Sequence, residues 1–330
     1  MEYRTLGKTD IQLPVITFGA WAIGGWMWGG TDVRAAEEAI HAAYDEGITA
    51  FDTAPVYGQG LSEEILGKAL QSYPRDRVQI LTKYGMRWDL EKGEFAFLSK
   101  NNAGKEIKIY KYAGKESVMK ECEDSLRRLK TDYIDLYQIH WPDSTTPVEE
   151  TMEAVQRLIE QGKVRAAGVC NYPVPLMERA LSVIPLASNQ VPYSMVRRDI
   201  EQDIVPYCLA HQLGILAYSP LQRGLLTGKY QPGHVFREGD TRPDTPYFKP
   251  ENIKRINAFL DKIRPLAQDK GVTLSQLVIR WTVQQPGITV ALVGARDAHQ
   301  AKENAKAGTF TLSTEELQKI ETAYQQLSLV

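Results

Sequence analysis

The sequence predicts a (β/α)8 barrel of the TIM type, with a β-hairpin before the first barrel strand and an extra helix at the C-terminal end. From Pro14 onward, eight short runs rich in valine, isoleucine and aromatic residues alternate with longer stretches in which apolar residues recur every three or four positions. This alternation is typical of βα units repeated around a parallel sheet. A chain of 330 residues has the length of one such barrel, so we expect a single domain over residues 1–330.

The strand-like and helical runs can be placed in order along the chain. Glycines follow several of the helical runs, where a left-handed residue is commonly needed, so we expect Gly47, Gly162 and Gly214 to end helices. The predicted strands cover residues 14–19, 48–54, 78–84, 133–140, 164–170, 186–191, 214–219 and 289–294. Helical candidates include residues 32–47, 62–70, 115–130, 148–163 and 200–214.

Four segments lie outside this βα series. Residues 2–14 alternate around a Gly-Lys-Thr-Asp turn and predict a hairpin that closes the bottom of the barrel. The two longest connections, 86–114 and 222–250, are predicted to be functional or disordered loops. Both follow strands, on the side where barrels of this class keep their sites. Residues 312–330 predict a last amphipathic helix packed across the outside.

Composition excludes several classes of function. The chain is 43% hydrophobic and 24% charged and has no apolar run long enough to span a bilayer, so we expect no membrane insertion. A net charge of −2 with scattered Lys and Arg residues argues against nucleic-acid binding. Cys122, Cys170 and Cys208 form no disulfide or zinc pattern, and the first residues form no secretory signal. We therefore expect a cytoplasmic protein.

Polar residues recur at the ends of the predicted strands. The C-terminal ends of barrel strands converge on one mouth, so side chains that are distant in sequence meet there. We expect the following residues to share one pocket: Asp52, Tyr57, Lys83, His140, Asn171, Gln190 and Tyr218.

An Asp, Tyr, Lys and His in one pocket suit the reduction of a carbonyl group. Hydride addition builds negative charge on the carbonyl oxygen, which must be hydrogen-bonded and then protonated. Tyr57 is the predicted proton donor, and the ammonium of Lys83 is expected to lower the pKa of its phenol toward the working pH. Asp52 would hold Lys83 in place, and His140 would hydrogen-bond the carbonyl oxygen.

These residues also allow two other interpretations. Taken alone, a buried Asp–Lys pair is often a structural ion pair, and a lone His or Tyr is structural even more often. The joint placement of all four at strand ends favours catalysis. A metal hydrolase would need several His or carboxylate ligands there, whereas the other histidines fall in helices or loops, so we predict no metal site.

Several motifs occur together: FDTAPVYGQGLSEEILGKAL, LTKYG and YIDLYQIHWPD. Through them the chain resembles the aldo-keto reductases, and most closely the bacterial general-stress-type branch, over nearly its whole length. The resemblance implies Asp52, Tyr57, Lys83 and His140 as the catalytic residues and NADPH, converted to NADP+, as the cofactor.

The resemblance also implies a set of cofactor-binding residues. In GVCNY, Asn171 would hold the nicotinamide carboxamide with Gln190, and Cys170 stands where the family usually has serine. Tyr218 would stack on the nicotinamide. Ser219, Leu221, Arg223 and Gly224 would wrap the pyrophosphate, and Gly294, Arg296, Gln300, Glu303 and Asn304 would grip the adenosine phosphate. Arg296 precedes a helix start, where an anion meets a guanidinium and free N–H groups, which favours a 2′-phosphate over a mere surface ion pair.

Tryptophans follow the first predicted strand. Trp21, Trp26 and Trp28 predict an apolar wall suited to flat or aliphatic carbonyl substrates, with simple packing of the loop as the alternative. Trp88 and Arg87, at the start of the long connection, are expected to join that wall, and Arg87 would favour a carboxylate or another polar group.

The leading hypothesis is NADPH-dependent reduction of aldehydes or ketones to alcohols. A second is a cofactor-binding regulatory subunit with little turnover, because potassium-channel β-subunits resemble the same family. A third is a barrel isomerase or hydrolase that uses no nicotinamide. The expected partner is a small-molecule carbonyl compound. The oligomeric state stays open with a monomer favoured, and the natural substrate and physiological direction also stay open.

Overall fold

The computed structural model describes residues 1–330, and eight of its strands close into a parallel barrel. Around the barrel the order is β3, β4, β5, β9, β10, β11, β12 and β13, and β13 pairs back to β3. The strands are β1 Tyr3–Thr5, β2 Gln12–Pro14, β3 Ile16–Gly19, β4 Ala50–Asp52, β5 Gln79–Tyr84, β6 Met86–Arg87, β7 Glu94–Lys100, β8 Glu106–Lys111, β9 Ile134–Ile139, β10 Val164–Cys170, β11 Leu186–Pro192, β12 Gly214–Tyr218 and β13 Ile288–Val293. The eight predicted barrel strands and the barrel fold are thus confirmed.

Ten α-helices accompany the strands, and most of them cover the outside of the barrel. They are α1 Val33–Asp45, α2 Leu61–Ala69, α3 Lys115–Leu129, α4 Val148–Glu160, α5 Val174–Leu181, α6 Ile204–His211, α7 Pro250–Asp269, α8 Leu274–Gln284, α9 Ala298–Ala305 and α10 Thr314–Tyr324. None of these helices combines the length and the apolar character that a membrane-spanning segment requires.

The helix boundaries follow from local capping chemistry. Asp32 accepts a hydrogen bond from the amide of Ala35 and begins α1. Gly47 and Gly162 adopt left-handed backbone conformations after α1 and α4, as predicted. The prediction for Gly214 is wrong: Gln212 takes the left-handed position after α6. Gly214 instead begins β12, where a Cβ would lie only 2.8 Å from the side chain of Leu6.

The N-terminal hairpin β1–β2 closes one end of the barrel. Leu6, Ile11 and Leu13 are buried and pack against apolar residues that point into the barrel, among them Leu81 and Leu136. A packed interior of this kind is usual for eight-stranded barrels. The ligand site must therefore open at the other end.

The connection after β5 forms ordered structure instead of a loop. β6, β7 and β8 make a three-stranded antiparallel sheet in the order β6-β8-β7. The prediction of a functional or disordered loop missed the alternation of apolar and polar residues on both sides of the NNAG turn, which is a hairpin signal.

The connection after β12 and the C-terminal helix complete the fold. Residues 222–249 have no strand or α-helix and reach across the mouth, where Asp240 forms an isolated β-bridge with Trp28. The predicted last helix, α10, packs on the outside against α7, and the rings of Phe259 and Tyr324 lie 6.5 Å apart.

Candidate active site

A cavity of about 840 Å³ opens at the C-terminal end of the barrel strands. It runs from the loop after β3, past the ends of β4, β9, β10 and β11, to the start of α9. Asp52, Tyr57 and His140 line its middle part. The polar residues predicted to meet at the mouth are thus brought together by the fold.

A buried ion pair lies below the cavity. Lys83 Nζ donates to Asp52 Oδ1 at 2.5 Å and to the carbonyl oxygen of Thr53 at 2.8 Å, and the Lys83 side chain is fully buried. The second carboxylate oxygen of Asp52 accepts from Nε2 of Gln190 at 2.8 Å and from Nε2 of Gln138 at 3.2 Å. Hydrogen bonds to both oxygens compensate for the burial of the carboxylate.

Tyr57 and His140 face each other above this ion pair. The Tyr57 hydroxyl lies 3.5 Å from Nε2 of His140, and Nζ of Lys83 lies 5.1 Å from the centre of the Tyr57 ring. A tight turn after β4 holds Tyr57, and Gly58 in this turn has a φ of 71°. A Cβ on Gly58 would lie 2.3 Å from the carbonyl oxygen of Gly24, so the turn requires glycine.

Burial dominates the electrostatics of this group. It raises the pKa of Tyr57 to about 12, although the charge of Lys83 acts in the opposite direction. Lys83 thus lowers the pKa of the phenol, as expected, but burial outweighs this effect and the phenol stays protonated at neutral pH. Burial and the Lys83 charge lower the pKa of His140 well below its usual value, so the imidazole is neutral at neutral pH. Asp52 raises the pKa of Lys83 against the effect of burial.

Amide and phenol groups continue the cavity beyond Tyr57. Asn171 donates to the carbonyl oxygen of His140 at 3.2 Å and accepts from the hydroxyl of Tyr218 at 3.0 Å. Its φ of 59° is left-handed, a conformation that asparagine tolerates better than most residues. Cys170 is buried, with Sγ 3.9 Å from Oε1 of Gln138, and burial raises the pKa of the thiol, so it stays protonated.

The remaining predicted cofactor residues also line the cavity. They are Ser219, Leu221, Arg223, Gly224, Gly294, Arg296, Gln300, Glu303 and Asn304. Ser219 and Arg223 have positive φ angles of 56° and 55° in the turn after β12. This turn aims the guanidinium of Arg223 across the mouth, where it lies 5.0 Å from the ring of Trp21 and donates to the carbonyl oxygen of Met27.

Arginines concentrate at the end of the cavity near α9. Arg296 Nη2 donates to the carbonyl oxygens of Trp28 and Gly30 at 3.0 and 2.6 Å. Burial and the nearby charges of Arg242 and Arg237 lower the pKa of Arg296, because like charges disfavour another cation. An anionic ligand would relieve that repulsion. Arg242 was missed by sequence reasoning because the loop that carries it has no regular pattern.

Aromatic rings form one wall of the cavity, and the guanidinium of Arg223 lies against two of them, Trp21 and Trp28. Trp21, Trp26 and Trp28 all line the cavity, and Trp21 stacks on Tyr57 with ring centres 6.0 Å apart. Trp26 stacks on Phe97 of β7 at 6.3 Å. Its indole N–H donates to the hydroxyl of Ser99 at 3.0 Å, which ties the wall to the three-stranded sheet.

The expectations for Arg87 and Trp88 are not met, because neither side chain lines the cavity. Arg87 is directed away and donates to Asp89 and Ser117, with Glu121 within 3.7 Å. Trp88 is among the partly buried residues that pack against the cluster around Trp26. The wall uses three residues that sequence reasoning missed: Met86, Phe97 and Trp141.

No group of three or more His, Cys, Asp or Glu side chains is arranged to hold a metal ion. The polar groups that line the cavity include side-chain amides, a neutral phenol, a neutral imidazole and arginines. Amides at one end and arginines at the other match the carboxamide and the phosphates of a nicotinamide dinucleotide.

Relatives of known type match almost the whole chain. The model of the aldo/keto reductase family matches residues 15–325. The aldo-keto reductase YhdN of Bacillus subtilis is 40% identical over 98% of this chain and 93% of its own length. The NADH-specific methylglyoxal reductase of Escherichia coli is 35% identical over 95% of both chains.

Solved structures agree in fold and length. A glycerol dehydrogenase from Gluconobacter oxydans superimposes with a TM-score of 0.87, at 39% identity over 98% of this chain and 95% of the other. An aldo/keto reductase from Klebsiella pneumoniae, solved with NADP and acetate, gives 0.73 at 30% identity over the full length of both. With this barrel, this cavity and these matches, the chain belongs to the aldo/keto reductase family and is an NAD(P)H-dependent oxidoreductase of carbonyl compounds.

Proposed function

We propose that the chain, as one domain over residues 1–330, reduces aldehydes and ketones to alcohols with NADPH and uses Tyr57 as the general acid. One observation carries the proposal: the Tyr57 hydroxyl faces His140 in the cavity, and the charged Lys83–Asp52 pair lies buried beneath it. A protonated phenol at that place can give up its proton, and a cation below it stabilises the phenolate that remains.

The reaction divides the work between the bound cofactor and the side chains. When bound, the reduced nicotinamide supplies a hydride to the carbonyl carbon. His140, which is neutral, donates a hydrogen bond to the carbonyl oxygen and orients it. As charge builds on that oxygen, the O–H bond of Tyr57 breaks and the proton moves to the oxygen. The Tyr57 phenolate then recovers a proton from solvent.

The residues that would hold the cofactor divide along the cavity by chemistry. Asn171, Gln190 and Tyr218 offer amides and a flat ring for the nicotinamide, while Ser219, Leu221, Arg223, Gly224, Gly294, Arg296, Gln300, Glu303 and Asn304 lie along the path of the phosphates and the adenosine. Asp297 caps α9, so Arg296 stands at a helix start whose amides favour anions. This favours the 2′-phosphate of NADPH, as in the Klebsiella pneumoniae structure with NADP, over the NADH preference of the Escherichia coli relative.

The aromatic wall favours uncharged substrates. Near Tyr57 the cavity is bounded by Trp21, Trp26, Met86, Phe97 and Trp141. None of these five side chains carries a charge, so apolar contacts dominate the surface that a substrate would meet beside Tyr57. With Arg87 turned away, small aliphatic or aromatic aldehydes and ketones are the proposed substrates, and a monomer in the cytoplasm is the proposed form. The three cysteines are free and buried, which agrees with a reducing compartment.

The test is a fluorescence titration of the purified protein with NADPH and with NADH, followed by NADPH consumption with a panel of aldehydes, ketones and carboxylated carbonyl compounds. Tighter binding of NADPH and turnover of the uncharged members support the proposal. Preference for NADH would overturn the cofactor assignment. Binding without turnover would favour the regulatory-subunit hypothesis.

A further inference from the structure

A fully buried glutamine, Gln138, connects the catalytic ion pair to the amides at the nicotinamide end. Its Nε2 donates to Oδ2 of Asp52 at 3.2 Å, and its Oε1 accepts from Nε2 of Gln190 at 3.1 Å. Gln190 Nε2 also donates to the same Asp52 oxygen at 2.8 Å. The three side chains therefore form a closed triangle of hydrogen bonds inside the barrel.

This triangle determines which way the amide of Gln190 faces. Both hydrogens of its Nε2 have acceptors, one on Asp52 and one on Gln138. A rotation of the amide by half a turn would direct Oε1 of Gln190 at the Asp52 carboxylate and at Oε1 of Gln138, three acceptors without a hydrogen between them. Oε1 of Gln190 has no partner within the protein, and the residue lines the cavity.

The barrel makes room for Gln138 at this position. On the neighbouring strand β10 the residue beside it is Gly168, where a Cβ would lie 3.0 Å from Cγ of Gln138 and 2.9 Å from the hydroxyl of Ser188. On the other side, β5 places Lys83 in register with it. The glutamine is thus enclosed between the catalytic lysine and a strand position that bears no side chain.

We propose that Gln138 is a positioning residue for the cofactor, which rests on the proposed function. By holding the Gln190 amide in one orientation, Gln138 presents a hydrogen-bond acceptor to the N–H of the nicotinamide carboxamide. Without it, Gln190 keeps one acceptor instead of two, and its amide loses half of the restraint on its orientation. Cys170, whose Sγ is 3.9 Å from Oε1 of Gln138, adds only a weak thiol contact.

The test compares NADP+ with its 3-acetylpyridine analogue, in which a methyl group replaces the carboxamide NH2. The analogue cannot donate to Gln190, so the unaltered enzyme should bind it about fivefold more weakly than NADP+, the usual effect of one neutral hydrogen bond. The ratio measured is the dissociation constant of the analogue divided by that of NADP+. In Gln138→Leu this ratio should fall below about twofold, and the KM for NADPH should rise while kcat falls less. An unchanged ratio in Gln138→Leu would overturn the inference.

A second variant distinguishes the proposed role from a simple failure of Gln138→Leu to fold. In Gln138→Glu a carboxyl oxygen still accepts from Nε2 of Gln190, so this variant should keep most of the ratio that Gln138→Leu loses. A ratio as low as that of Gln138→Leu would contradict the role. Thr282→Val, which alters a buried hydroxyl on α8 that bonds only to Val278, is the matched control and should keep the full ratio. If the unaltered enzyme binds neither dinucleotide, the proposed function fails instead.

Discussion

The hydroxyl of Tyr57 lies 3.5 Å from Nε2 of His140, and both side chains are partly buried where they line the cavity. Neither group is charged at neutral pH, while the charges of Lys83 and Asp52 lie one layer below them. The proton donor, Tyr57, and the charged pair, Lys83 and Asp52, are therefore different residues. A single substitution can remove the donor without removing the charges.

Replacing Tyr57 with Phe should lower turnover at least about a hundredfold, because the proton donor is lost while the ring remains. Cofactor affinity in a fluorescence titration should change less than about twofold. Tyr84→Phe is the matched control, since the Tyr84 hydroxyl is buried without a partner, and it should keep both activity and stability. Turnover close to normal in Tyr57→Phe would remove Tyr57 from the mechanism.

The folded protein should lose stability as the pH falls below the usual histidine pKa of 6.5. Burial and the charge of Lys83 hold the pKa of His140 well below that value in the folded state. Between the two pKa values only the unfolded chain binds the proton, so the free energy of unfolding rises in this window by about 1.4 kcal/mol per pH unit. Melting temperatures from about pH 5 to about pH 8 should show a smaller slope for His140→Gln than for the exposed control His211→Gln. Equal slopes in the two variants would contradict this assignment.

Phe97→Ala should alter substrate preference without stopping catalysis. Loss of the ring opens the wall beside Trp26, so kcat/KM for aromatic ketones should drop about tenfold while a two-carbon aldehyde is affected much less. Phe95 belongs to the same strand but is half exposed, so Phe95→Ala should leave both rates unchanged. An equal loss for both substrates in Phe97→Ala would mean that the ring only supports the fold.

Arg296→Ala should weaken NADPH binding about tenfold or more, because a charge-assisted contact to the 2′-phosphate is removed. NADH lacks that phosphate, so its affinity should stay within about threefold. Arg255, on the exposed side of α7 and paired with Glu251, provides the control substitution Arg255→Ala. Equal losses for both cofactors would point instead to the contacts of Arg296 with Trp28 and Gly30.

Leu13→Ala should destabilise the protein by about 2–5 kcal/mol, because it leaves a cavity in the plug of the barrel. Leu209→Ala, on the exposed face of α6, should lower the free energy of unfolding far less. Urea unfolding measures both. At a temperature where Leu13→Ala remains folded, its kcat should match that of the unaltered enzyme, since the plug is remote from Tyr57.

The alternation of strands and helices was enough to predict the barrel, since each barrel strand is a short apolar run between turn residues. Position at a strand end, however, does not give the direction of a side chain outside the barrel, and for this reason Arg87 was placed in the wall although it turns toward Ser117. Gln138 could have been found, because it lies two residues before His140 and a strand alternates its faces. The contacts of the long connections could not be predicted, because Arg242 pairs with Asp240 in a loop without a regular pattern and Phe97 stacks on Trp26, which is distant in sequence.

The hairpin that carries Leu6 and Leu13 has a consequence for the kinetics of the enzyme. Because the hairpin fills one end of the barrel, the cofactor and the substrate must enter and leave through the same opening. The ligand that binds deeper in the cavity must then bind first and be released last. We therefore expect cofactor and substrate to bind in a compulsory order, and a high concentration of the second ligand to slow the release of the first.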